Sequence, residues 1–315
     1  MSEIEARSAE TSDLEPPPEG MLGDAEAITT KHRTQLQMFV RQFFGHRLAV
    51  VSLIVLIVII LFAFVGPFLW KYDHTIYREI ASNERPSLAH PFGTTRQGHD
   101  YLGQMMRATQ QTLKVGFVVA VMVTGIGTLM GALAGFYRGW VDSTIMRLVD
   151  VLIIIPLLAV VLVLSTAFRT TNWYHVALII GLFGWLGTSR VVRGVILSLR
   201  EQEFVEAAHA LGASDARIIG RHLVPNALGV IIVDATLWIA VAILTEATLS
   251  FIGFGITIPD TSLGLLIQNA QTLIFTRPEL FYIPGAFLII ICLSINFIGD
   301  GLRDALDPKQ QSVRK

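Results

Sequence analysis

Long apolar runs alternate with short charged connections along this chain. The run 48–69 carries no charge at all, and about 20 apolar residues suffice to cross a bilayer as a helix. Five further runs follow, over 115–137, 148–168, 176–189, 228–251 and 281–299. Backbone groups in lipid must bond within their own segment, so runs of this length are expected as helices. The pattern predicts an all-α membrane protein with six crossings. The fourth run ends at Arg190 and Arg193, whose long side chains are expected to snorkel to the interface.

Glycine and proline punctuate these runs. Gly127, Gly131 and Gly135 recur every four residues, which puts three bare patches on one stripe and predicts close packing of a neighbouring helix. Pro156 is expected to kink the third helix.

Composition agrees with the pattern. The 315 residues are 52% hydrophobic and only 16% charged, against about 25% charged in soluble domains. A net charge of -1 offers no field for nucleic acid. The single cysteine, Cys292, has no partner for an internal disulfide and is expected to be buried and inert. Residues 1–30 hold eight acidic groups, one Arg and the run Pro16-Pro17-Pro18. That is the opposite of a signal peptide, which begins basic and turns apolar. The segment is expected to be disordered.

Lysine and arginine set the expected orientation. With the N-terminus inside, inner segments hold 16 of them and outer segments 7, five of these in one long loop. The short connections decide: five arginines lie in 190–227, against one each in 169–175 and 252–280. Both termini are therefore expected to be cytoplasmic. Trp70 and Trp173 then fall at the outer interface and Trp140 at the inner one.

The loop 201–226 reads EQEFVEAAHALGASDARIIGRHLVPN. Phe204, Ala207, Ala208 and Leu211 follow the i, i+3, i+4, i+7 spacing of an amphipathic helix. Gly212 suits the left-handed residue that ends a helix, and Ser214 an N-cap. A second short helix with Ile218, Ile219 and Leu223 is expected to run until Pro225 stops it. On spacing alone this is a helix-turn-helix against the membrane face, with Ala207-Ala208 letting another protein come close.

The residues themselves add a resemblance. Glu206-Ala207-Ala208, then Gly212-Ala213, then Leu223-Val224-Pro225-Asn226, resembles the EAA loop of ABC importer permeases. His90-Pro91-Phe92-Gly93-Thr94, the stretch Glu246 to Gly253 and the ending Gly299 to Pro308 are similar to further signatures of the dipeptide/oligopeptide/nickel branch. Arg47-Leu48-Ala49-Val50 resembles its "C" permease. Departures are His99-Asp100 for a usual Arg-Asp, Leu263-Gly264 for Trp-Gly, and His209 where Arg is commoner.

The resemblance implies the ABC importer permease (MetI-like) type of fold and a loop that docks on an ATPase through Glu206, Ala207, Ala208, Gly212, Ala213, Leu223 and Pro225. It implies these partners: a second homologous permease, two ATP-binding cassette ATPases and an extracytoplasmic solute-binding protein. Peptides are the implied cargo, with nickel or another small solute as the alternative. The expected organisation is an acidic cytoplasmic tail over 1–35, a first transmembrane helix and external loop over 36–110, a five-helix core over 111–309 with its coupling loop 201–226, and a tail over 310–315. The site is a prokaryotic cell membrane.

No Gly-Lys dipeptide occurs, so the chain has no P-loop for ATP phosphates. Neither His-Glu-x-x-His nor Gly-x-Ser-x-Gly occurs. The chain reads as a non-catalytic subunit without cofactor or metal. Asp150, Asp234 and Glu246 fall in or near spans, where ionisable groups mark pathways or pairs. Asp234 lies deepest in its run and is the best pathway candidate. A transporter driven by an ion gradient would instead show inverted repeats and interrupted helices, and would leave the 201–226 loop unexplained.

Overall fold

The computed structural model describes residues 35–75, 82–168 and 172–306. The tails expected over 1–35 and 310–315 lie outside these residues, Gln35 apart. The described residues from Phe39 onward form one compact unit.

The helices in chain order are α1 (Gln35–Gly45), α2 (Arg47–Phe64), α3 (Gly66–Leu69), α4 (Tyr101–Tyr137), α5 (Gly139–Ile153), α6 (Leu157–Phe168), α7 (Trp173–Arg200), α8 (Glu203–Ala210), α9 (Asp215–Ile218), α10 (Val224–Phe251), α11 (Leu263–Ala270) and α12 (Pro278–Leu306). A π-helical turn, Ile219–Leu223, joins α9 to α10. Among the described residues the one β-type pairing is an isolated bridge between Thr94 and Asp100.

Among the described residues five helices are long and apolar enough to span a membrane, and α5 with α6, bent by 79°, makes a sixth if the pair is one span. The run expected as one kinked helix over 148–168 is thus broken between Ile153 and Leu157. Pro156 explains the break. It lacks an N–H, its ring clashes with the preceding turn, and it pushes Ile155 away from helical geometry.

The second spanning helix begins at Tyr101 and not at Val115. Its first turns carry Arg107, Gln110, Gln111 and Lys114 at helical spacing, which interrupts the apolar run that marks a span. Two of them bond across space. Arg107 Nε and Nη2 donate to Asp260 at 2.9 and 3.2 Å, and Gln111 Nε2 donates to Asp260 Oδ2 at 2.8 Å.

The helix start is fixed by Asp100, which is fully buried. Its Oδ2 accepts from the Gly103 N–H at 2.8 Å and from Trp70 Nε1 at 2.8 Å, and His90 Nδ1 lies 2.7 Å from Oδ1. A carboxylate tolerates such burial only when its lone pairs are occupied. The His90-to-Thr94 motif therefore folds back over the first turn of α4. Gly93 there adopts φ +75°, and a Cβ would lie 2.6 Å from the Glu84 carbonyl.

Connectivity puts α8 and α9 at one end of the bundle and α11 at the other. Ile59, Tyr101, Met105, Ile243, Leu263, Leu266 and Ile291 pack together at the α11 end. In the middle Val115, Val119, Val123, Val161, Val176, Ile180 and Leu249 join α4, α6, α7 and α10. Gly127, Gly131 and Gly135 lie on the face of α4 that meets α7. A Cβ on Gly127 would sit 2.6 Å from Thr188 Cγ2, and one on Gly135 3.0 Å from the Arg193 carbonyl.

Candidate functional site

The α8 turn grows directly out of α7. Arg200 ends α7, Glu201 is its C-cap and Gln202 is the N-cap of α8. Val205 and Ala208 face inward and are buried with Ala132 and Phe136 of α4, Val192 and Ile196 of α7, and Ile218, Leu223, Ala227 and Ile231 beyond the turn. Burying one Val side chain contributes about 1.5–3 kcal/mol, enough to seat so short a helix. The His209 ring stacks on Phe136 with centroids 6.1 Å apart, and the Arg200 guanidinium lies over the Phe136 ring at 5.6 Å.

The inward face differs from the one expected. Of the four residues at amphipathic spacing, only Ala208 is buried; Ala207 is exposed, Phe204 is 39% exposed and Leu211 89%. Spacing identifies a stripe but not the surface it meets, and Val205 takes the inner place. Glu206 and Ala207 lie on the outer face beside Phe204.

Gly212 closes the turn at φ +77°. Its N–H donates to the His209 carbonyl at 2.9 Å, and the Ala213 N–H donates to the Ala208 carbonyl at 3.0 Å. These are the two bonds of a Schellman ending, which satisfies carbonyls left free by the helix. Nothing lies within 4 Å of a Cβ built on Gly212, so the demand for glycine is conformational and not one of space. Ser214 occupies the N-cap position of α9 without a side-chain cap bond.

Pro225 does not stop the second helix. The chain stays helical from Asp215 to Phe251, with the π turn immediately before Val224. The wider turn accommodates a residue without an N–H, as π turns inside helices do. Leu223 is fully buried at the root of this turn while Pro225 is exposed.

The three acids have different surroundings. Asp150 is exposed and ion-paired with Arg190 of α7. Asp234 is half-buried on α10, and its Oδ2 accepts from Thr188 Oγ1 at 2.5 Å. Glu246 is fully buried near the α11 end. Ser250 Oγ donates to its Oε1 at 2.6 Å and Thr112 Oγ1 to its Oε2 at 3.1 Å. Those hydroxyls accept in turn from the N–H groups of Ile256 and Leu263, at 3.1 and 3.3 Å. Glu246 thus ties α4, α10 and the start of α11 together. Among the described residues neither Asp234 nor Glu246 has a cationic partner within ion-pair distance.

Sequence reasoning missed α11 and the Asp100 cap. The cap had a signal, an aspartate directly before a helical segment. The residues of α11 had a weaker one, Ser262 as N-cap; its Oγ accepts from Leu265 N at 3.2 Å. Gly264 there lies against the backbone of Ala247, where a Cβ would collide with the carbonyl oxygen.

Comparison with known proteins gives a consistent result. Residues 127–312 match the family described as binding-protein-dependent transport system inner membrane component. Residues 34–91 match the N-terminal TM domain of oligopeptide transport permease C. The oligopeptide transport system permease protein OppC of Mycobacterium tuberculosis H37Rv is 39% identical over 287 residues, covering 91% of this chain and 99% of that one. The Bacillus subtilis protein of the same name is 34% identical, covering 91% and 94%. That of Escherichia coli K12 is 39% identical, covering 91% and 95%. Among solved structures, a chain of the MetNI methionine ABC transporter in an inward-facing conformation superposes with a TM-score of 0.55 at 18% identity, covering 65% of this chain and 97% of that one. At that identity the likeness concerns the fold.

Proposed function

The chain belongs to the family of binding-protein-dependent transport system inner membrane components, and on that footing we propose that it is one permease half of an ATP-driven importer whose cargo is peptides. The observation that carries this is the α8 turn. Its inner face, Val205 and Ala208, is rooted in the bundle, while Phe204, Glu206, Ala207 and Leu211 face outward. An apolar and acidic outer face on a rigid turn suits docking by another protein. The loop resemblance makes that protein a separate ATPase, two copies of which serve the complex. The cargo is inferred from relatives named as oligopeptide permeases.

In this reading the chain does not itself hydrolyse ATP. A second permease completes the pathway and a solute-binding protein delivers the peptide at the α11 end. The α8 end faces the cytoplasm, as the arginine asymmetry requires, so both termini lie inside. ATP binding closes the ATPases, α8 moves with them, and the helices continuous with α8 carry the movement into the membrane. The Schellman ending matters here, because a frayed turn would absorb the motion.

Affinity purification through a tag on this chain, from the native host, tests the reading. ATPase chains and a second permease are expected at stoichiometric level. Recovery of the chain alone in active form would contradict it.

A further inference from the structure

Three ion pairs connect α5 to the end of α7 that leads into α8. Arg193 Nε and Nη2 donate to the two Asp142 oxygens at 2.5 and 2.6 Å, which makes a bidentate pair. Arg190 pairs with Asp150, and Arg138, just before α5, pairs with Glu201, the C-cap of α7. All three pairs fall before the break at Ile154–Pro156, and among the described residues none is formed by α6. Bidentate arginine–carboxylate contacts fix orientation as well as distance.

The two halves meet at 79°. Between the break, α7 and Trp238 lies a half-open cavity of about 250 Å³ lined by Leu152, Pro156, Val160, Gly184, Gly187 and Trp238. Nothing lies within 4 Å of a Cβ on Gly187, so the α7 wall leaves room for the elbow to close. The half before the break is held to α7 by these ion pairs as well as by the packing of Val149, Ile145 and Leu152 on Trp185 and Leu186, whereas α6 joins the neighbouring helices through apolar contacts such as those of Val161.

We propose that Asp142–Arg193, assisted by Asp150–Arg190, are positioning residues that make α5 follow α8, so that ATP-driven movement of the turn bends the α5–α6 span at Ile154–Pro156. This rests on the importer reading above. It assigns Asp150 to the drive and not to the pathway. Hinges of this kind are a few element-terminal residues that absorb the change between two rigid parts.

The test uses the complete complex in proteoliposomes with peptide-loaded receptor, and reads peptide uptake and ATP hydrolysis on the same preparation. Arg193→Gln is expected to keep receptor-stimulated hydrolysis while uptake per ATP falls about tenfold, the scale of coupling carried by such contacts. The exchange Asp142→Arg with Arg193→Asp is expected to restore most of the ratio, which a loss of general stability would not predict. An unchanged ratio in Arg193→Gln overturns the proposal, as does a parallel fall of both activities that the exchange fails to repair. Absence of stimulated hydrolysis in the unmodified complex overturns the importer reading instead, and the proposal with it.

Discussion

A Cβ built on Gly131 of α4 would lie 2.5 Å from the carbonyl oxygen of Ser189 on α7. The two backbones approach closely there and again at Gly135 against the Arg193 carbonyl, while Gly127 meets the Thr188 side chain. Gly131→Val should therefore separate α4 from α7. Overpacking at such a contact costs about 1–3 kcal/mol. The melting temperature of the complex in detergent should fall, while Gly125→Ala, with nothing within 4 Å of its Cβ, should leave it unchanged or slightly raised. Equal melting of the two variants would mean that the stripe is not an interface.

Asp100 holds the start of α4 together with Trp70 and His90. Asp100→Ala removes a helix cap, worth about 0.5–2 kcal/mol, and leaves buried donors without acceptors, at about 1–3 kcal/mol each. Asp100→Asn keeps an oxygen for the Gly103 N–H and should lose less. Thermal unfolding of both variants checks the order; equal stability of Asp100→Ala and the unmodified chain would contradict it.

The spans were legible because apolar runs of this length have few other uses. The first turns of α4 were not, since Arg107 and Gln111 look like a polar loop until Asp260, far along the chain, is placed beside them. The positive φ expected at Gly212 is present, yet the buried face of α8 was misjudged. Phe204 and Leu211 are apolar and correctly spaced, but periodicity does not say whether a stripe meets the bundle or a partner. Pro225 misled for a related reason: a stop signal read locally ignores the π turn that absorbs it.

Asp234 is held by one hydroxyl, Thr188, on the half-buried side of α10. If this acid serves the pathway, Asp234→Leu should impair uptake more than it impairs expression. Uptake assays normalised to membrane content check this. Normal uptake together with raised stability would show that the acid is a tolerated cost of burial.

Orientation has its own test. In a Cys292→Ser background, cysteine at Ser214 should escape an impermeant thiol reagent on intact cells, and cysteine at Asn83 should react. Both positions are exposed, so access is decided by side of the membrane. Labelling at 214 but not at 83 would reverse the topology.

The central claim is that the α8 turn couples this chain to ATP hydrolysis. Gly212 needs positive φ, and a β-branched residue there should strain the turn by on the order of 1–2 kcal/mol. Glu206 presents an acid on the exposed face, where charge reversal should weaken docking of the proposed ATPase. Both lie at the end of the bundle, so membrane insertion should survive either change. The decisive measurement is ATP hydrolysis by the purified complex in lipid, with and without loaded receptor, for Gly212→Val and Glu206→Lys, alongside recovery of the ATPases on the column. Poor ATPase recovery and little stimulation in both variants is the predicted result; full recovery with normal stimulation in both would show that this turn is not the coupling element.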